Sequence, residues 1–253
     1  MKSVLTHLFS VALLVFGCSA VYAMQKDTAV VSPASDAAEG LDLSAVADLF
    51  RNSRNLEEFE AGLNDPKKGI NNIDLDENGE VDFIRVLEEV DGGTHLIVMQ
   101  AALDEDEYQD VATIEVERKS DDDYNFQVRG NSDIYGPDYY VVPANAYVRT
   151  WPIIGWIYRP VYRPYISPFR YRVYPSWYRP FRPVSVTVYR GRTVNYVGRS
   201  SFTVTRSNRV TTVNRTKYRS RTSTRTKTSV TRTRGPAGGR KTTVTRTRTR
   251  KRP

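Results

Sequence analysis

From residue 41 to residue 63 the apolar positions recur every three to four residues. Leu43, Val46, Ala47 and Phe50 fall at i, i+3, i+4 and i+7, one face of a helix, and Asp42 stands where its carboxylate can cap the free amides. Leu56, Phe59 and Leu63 form the buried stripe of a second helix. Asn55 caps it, and Glu58 completes a capping-box-like pair. Asn64-Asp65-Pro66 ends it, because proline has no amide to continue the ladder. Beyond Pro66 the period falls to two. Strands are expected near 70–75, 80–90, 94–103, 109–118 and 124–130, with turns at Asn78-Gly79, Asp91-Gly92-Gly93 and Ser120-Asp121-Asp122-Asp123. Ala112, Ile114 and Val116 alternate with Thr113, Glu115 and Glu117, the mark of a sheet with one wet face. Connections this short imply antiparallel pairing. The expected fold class is α+β: two short helices packed on a small antiparallel sheet over residues 41–143, about 100 residues. A long extended or disordered basic C-terminal tail follows.

Ile134 to Pro143 is expected to close the folded domain. Residues 144–199 hold all three tryptophans (Trp151, Trp156 and Trp177) and a degenerate repeat: Tyr158-Arg159-Pro160, Tyr162-Arg163-Pro164, Tyr178-Arg179-Pro180 and Phe181-Arg182-Pro183. Frequent proline opposes both helix and central strand, so an extended, polyproline-like backbone is expected there. Residues 200–253 are low in complexity and rich in Ser, Thr, Arg and Lys; with few large apolar residues they read as a disordered basic tail. At the other end, residues 1–23 read as an export signal and 24–40 as a flexible linker. Lys2 supplies a positive n-region. The apolar run from Val4 to Phe16 is shorter than the ~20 residues of a membrane-spanning helix. Two cleavage readings stand side by side: a cut after Val21-Tyr22-Ala23, or a lipobox-like Val15-Phe16-Gly17-Cys18 with Cys18 lipidated.

Charge sharpens the division. Residues 1–140 hold all 29 acidic residues and 10 of the 37 Lys and Arg, a formal charge of −19; residues 141–253 hold the other 27 and no acid, +27. The net of +8 conceals two opposed halves. Cys18 is the only cysteine, so a mature chain cut after Ala23 has no disulfide.

The most specific motif is Asp74-Leu75-Asp76-Glu77-Asn78-Gly79-Glu80-Val81-Asp82. Calcium takes several oxygen ligands from a tight loop. Asp74, Asp76 and Asn78 occupy positions 1, 3 and 5, Glu80 offers its backbone carbonyl, and Asp82 stands at position 9. Position 12 is Arg85 where an EF-hand loop carries Glu, so an ordinary EF-hand is not expected. The loop resembles the DxDxDGxxD calcium loops of FG-GAP-type repeats. The competing reading is a plain hairpin, since Asn-Gly is a strong turn signal and clustered Asp residues favour turns.

Asn72 to Val86, Tyr108-Gln109-Asp110-Val111-Ala112-Thr113-Ile114-Glu115-Val116, and Ile134 to Pro143 together resemble a family of secreted Bacteroidetes proteins of unknown function, over roughly residues 40–180. The resemblance implies an envelope location and an aromatic, basic C-terminal part. It carries over no catalytic residues.

An enzyme is not expected. The sequence past the export signal has one histidine, His95, which reads as an exposed strand residue, and no GxSxG, HExxH or Walker pattern is present. The basic region is the stronger candidate, because arginine among aromatics suits phosphates, carboxylates and flat rings. The leading expectation is a non-enzymatic envelope protein of the periplasm or cell surface. In it Arg159, Arg163, Arg179 and Arg182 grip anionic envelope polymer or a membrane surface while Trp151, Trp156 and Trp177 stack or insert. Alternatives are a matrix protein self-associating through acidic domain and basic tail, a tail collapsed on its own acidic domain, and binding of extracellular nucleic acid.

Overall fold

The computed structural model describes residue 35, residues 37–105, 107–144, 147–196 and 202–210, and the backbone of 224–234 and 240–250. The two expected helices form as α1 (Leu43–Asn52) and α2 (Leu56–Leu63). Asp42 accepts from the amides of Ser44 (2.8 Å) and Ala45 (3.4 Å), and Asn55 from that of Glu58 (2.8 Å). Glu58 reaches back one residue further than a capping box does, to the amide of Arg54 (2.8 Å). Both predicted stripes are buried, and Phe50 meets Phe59 edge-on at 5.4 Å.

Six strands make one antiparallel meander in the order β1-β2-β3-β4-β5-β6: β1 (Ile84–Asp91), β2 (Thr94–Asp104), β3 (Glu107–Arg118), β4 (Tyr124–Gly130), β5 (Tyr140–Pro143) and β6 (Phe202–Thr205). The register Val86↔Met99, Ile97↔Ile114 and Ile114↔Val128 sets one apolar face of the sheet toward α1 and α2. The fold class is therefore α+β, with helices on one side of an antiparallel sheet. A separate two-stranded ribbon pairs β7 (Thr224–Arg234) with β8 (Arg240–Arg250), Val230 opposite Val244.

Several boundaries differ from expectation. Residues 70–75 and 80–83 are not strands. Asn71 turns its side chain onto local main chain, accepting from the Ile73 amide (3.0 Å) and donating to the Asp82 carbonyl (2.7 Å); such side-chain bonds compete with a ladder. Residue 35 and residues 37–40, read as linker, belong to the folded body. Ser35 donates to the Ile134 carbonyl (2.8 Å), and Ala38 and Gly40 are buried in a 3-10 turn whose Gly40 carbonyl accepts from Asn72 (2.8 Å). Residues 1–34 lie outside the described residues, and with them the expected export signal and Cys18.

The largest difference is at Pro143, where the chain does not leave the body. Residues 147–196 run back across it as a strap and then feed β6, which pairs with β5. Proline at the first helical position opens α4 (Pro152–Ile157), which buries Ile153, Ile154 and Ile157 against the helical layer. Trp151 enters the same core, edge-on to Phe126 at 4.8 Å. At the far side, Tyr165 to Ser167 adds to the free edge of β1: Glu88 N donates to Tyr165 O (2.8 Å) and Ser167 N to Val86 O (2.9 Å). A last helix, α5 (Val186–Thr193), buries Tyr189. The disorder expected from residue 200 is replaced at 202–205 by β6, while 211–223, 235–239 and 251–253 lie outside the described residues.

Candidate functional site

The strap explains its own repeat. Tyr158, Tyr162, Tyr165, Tyr178 and Tyr189 turn inward, the first three spaced three to four residues apart, and each hydroxyl finds a polar partner on the body. The Tyr158 hydroxyl reaches the carbonyls of Gly93 (2.9 Å) and Val116 (3.2 Å), its ring 4.4 Å from that of His95. The Tyr162 hydroxyl donates to Glu88. Tyr165 donates its amide to the same Glu88 oxygen (2.9 Å) and its hydroxyl to Glu60 (2.8 Å). The Tyr178 hydroxyl donates to the Val81 carbonyl (3.2 Å), its ring edge-on to Phe83. The Tyr189 hydroxyl donates to Ile70 O (2.7 Å) and accepts from Asp42 N (2.7 Å). A phenol fits both demands, because the ring buries apolar area and the hydroxyl satisfies a group that would otherwise be stranded. Burial pushes all five phenols well above their ordinary ionisation range, so each stays a donor at physiological pH.

Two buried carboxylates fasten the strap. Glu60 on α2 accepts from Val86 N (2.6 Å) and from Tyr165, and burial raises its pKa against those lowering contacts. Glu88 on β1 shares a hydrogen bond with His95 Nδ1 (2.7 Å) and accepts from Tyr162 and Tyr165. His95 is 4% exposed, so the reading of an exposed strand residue is corrected. It sits on the core-facing phase of β2, opposite Val90 and Val116. Neither glutamate was singled out from sequence, although a signal existed. Glu88 continues the Ile84, Val86 alternation, and Glu60 follows Phe59 beside the α2 stripe.

Between the anchors the arginines face outward. Arg159, Arg163, Arg179 and Arg182 are all exposed. Arg159 lies 4.5 Å over the Trp156 ring and 5.4 Å from that of Tyr162. Arg179 donates to the Ser176 (2.8 Å) and Tyr178 (2.7 Å) carbonyls. Among the described residues none of these four pairs with a carboxylate, whereas Arg149 pairs with Asp122 and Arg190 with Glu39 at 3.0 Å. The tryptophans divide. Trp151 is a core residue, which removes it from any contact surface. Trp156 is half-buried beneath Arg159. Trp177 is 50% exposed.

The 74–82 loop is a closed hydrogen-bonded turn. Asp74 accepts from the amides of Asn78 (3.1 Å) and Gly79 (3.0 Å), and Asp76 from Asn78 N (3.1 Å) and Asn78 Nδ2 (2.9 Å). Asn78 Oδ1 accepts from Glu80 N (2.7 Å). Asp82 turns away to the Leu75 amide (2.6 Å). Glu77 and Gly79 take positive φ, 59° and 85°, to close it. Burial, with Asp76 alongside, raises the Asp74 pKa. Among the described residues no group of three or more His, Cys, Asp or Glu is placed to hold a metal ion. No protein-family model, curated protein or solved structure matches the chain.

Proposed function

We propose that this is an exported, non-enzymatic envelope protein that tethers itself to anionic cell-envelope polymer through the arginines of the strap. The observation that carries the reading is the outward display of Arg159, Arg163, Arg179 and Arg182, without carboxylate partners among the described residues, on a backbone pinned by inward tyrosines. Pinning lowers the entropy lost on binding, because the cationic heads are already spaced on an ordered support. Phosphate and carboxylate oxygens match the guanidinium fork. Exposed Trp177 adds an aromatic face beside Arg179. The export-signal pattern at residues 1–23 and the resemblance to secreted Bacteroidetes proteins support an envelope location.

The test is co-sedimentation of mature full-length protein with outer-membrane vesicles and with peptidoglycan over a salt series. Wild type binds at low salt and is released steeply as salt rises. The combined variant R159Q/R163Q/R179Q/R182Q melts like wild type and loses most of that binding. Salt-insensitive binding, or equal binding by the variant, overturns the reading.

A further inference from the structure

The sheet face turned away from α1 and α2 carries Glu89 on β1, Asp110, Glu115 and Glu117 on β3, and Asn125 and Gln127 on β4, with Arg85 and Arg129 as its basic side chains. Arg85 is occupied by Gln100 (2.8 Å) and by the Tyr108 ring, 3.5 Å away. A solvated face would leave its carboxylates in water. Instead Glu115 is 1% and Glu117 8% exposed, and Leu96, Val98, Gln100 and Gln127 are buried with them. Gln127 supplies one oxygen of Glu115 with a donor (2.6 Å) and Asn125 one of Glu117 (2.8 Å). None of Glu89, Asp110, Glu115 and Glu117 is without a partner.

The chain itself is delivered to this face. After β6, Arg209 N donates to Gln127 Oε1 (2.7 Å), Gln127 Nε2 to Asn208 (2.6 Å), and Asn125 to the Arg209 carbonyl (2.9 Å). Val210 is buried. Thirteen residues, 211–223, separate Val210 from β7, whose backbone passes within 8 Å of β3 between Cα atoms. Strands β7 and β8 together hold nine Lys and Arg and no acid. So short a tether gives an effective local concentration on the order of millimolar, ample for a screened charge-pair contact.

We propose that the β7–β8 ribbon is a displaceable basic cover on the acidic outer face of the sheet. An anionic polymer must then compete with the protein's own carboxylates for these arginines and lysines. This rests on the tethering reading for its consequence, but not for the contact itself.

The experiment uses full-length mature protein, the paired variants E115Q/E117Q and E89Q/D110N, and two readouts. Trypsin cleavage between residues 224 and 250 is followed by mass spectrometry, with cleavage after Arg85 and Arg118 in the body as the control for unfolding. Retention on dextran sulfate is measured in a salt gradient. The cover predicts slow ribbon cleavage at low salt and fast cleavage at high salt. In the variants low-salt cleavage rises about tenfold, since cleavage tracks the open population, and elution shifts to higher salt. E89Q/D110N alters half-buried side chains at the rim, so it keeps the test valid if E115Q/E117Q fails to fold. Ribbon cleavage unaffected by salt and by both variants overturns the cover. Failure of wild type and variants alike to bind dextran sulfate counts against tethering, while salt-released and variant-released cleavage would still establish the cover.

Discussion

Deleting everything after Pro143 should unfold what remains, although the 41–143 segment looks like a complete domain by sequence pattern. The deletion removes Trp151, Ile153, Ile154, Ile157, Tyr178 and Tyr189 from the core. Each fully buried large apolar side chain contributes about 1.5–3 kcal/mol, so the loss is on the order of 10 kcal/mol, an upper estimate because denatured chains already bury some area. That is comparable with the ~5–15 kcal/mol that holds a typical domain together. The deletion also uncovers Phe83 and Phe126 and opens both edges of the sheet, at β1 and β5. Mature full-length protein and a fragment ending at Pro143 should be compared by near-UV circular dichroism and urea denaturation. Full length is expected to show one cooperative transition with fixed aromatic signals. The fragment is expected to lose the near-UV signal and bind a hydrophobic dye. A fragment that melts cooperatively within a few degrees of full length would refute the claim that the strap is part of the core.

Two other expectations follow from single groups. Burial raises the Glu60 pKa above its ordinary 4.5, so the fold favours the protonated form; that contribution is complete below about pH 4.5 and is lost as pH rises through the folded-state value. Glu60→Gln keeps an acceptor for Val86 N and a polar partner for Tyr165. It should therefore flatten this part of the stability profile and change stability at pH 7 by less than about 1 kcal/mol, whereas Glu60→Ala strands a buried amide and costs about 2–4 kcal/mol. Urea series at pH 5 and pH 7 decide it, and a Gln variant as damaging as Ala would sink the argument. A melt in millimolar calcium decides between the two readings of the 74–82 loop: a rise of several degrees would show metal held by the folded state, and an unchanged melting temperature would leave only the hairpin, in which Asp74, Asp76 and Asp82 accept from loop amides.

The parts of this fold that were legible were those whose signal is local. α1, α2 and β1–β4 declare themselves by period, and Asp42 and Asn55 by cap chemistry within three residues. The strap was illegible for the converse reason. Tyr165 bonds Glu60, 105 residues away, and Tyr189 bonds Ile70, 119 away, while the arginines and prolines between them read locally as an unfolded tail. Asn71 and Asn72 hid a turn inside a period-two stretch. Asn72 pairs both ways with Val184 of the strap (2.8 and 3.0 Å), a partner no local pattern announces. The clue left in the sequence was an acid in a buried phase, Glu88 after Ile84 and Val86. A carboxylate there requires donors from elsewhere, and the only long segment rich in hydroxyls and poor in acids was the one read as tail.

The strap also resolves a problem that the meander creates. An open sheet has two edges whose unpaired amides and carbonyls invite another strand. One is covered by Tyr165 to Ser167 alongside β1; at the other, β5 is paired by the four-residue β6, a short edge strand of the kind that limits further pairing. Both covers come from the same basic stretch, so the residues that finish the fold are interleaved with those that display charge. This interleaving constrains how function can be tested. A deletion that abolishes polymer binding would say nothing about the arginines, since it removes core aromatics and both edge covers at once. Substituting Arg159, Arg163, Arg179 and Arg182 while leaving Tyr158, Tyr162, Tyr165 and Tyr178 in place separates the two roles, because the guanidinium groups lie outside the buried network that the phenols complete.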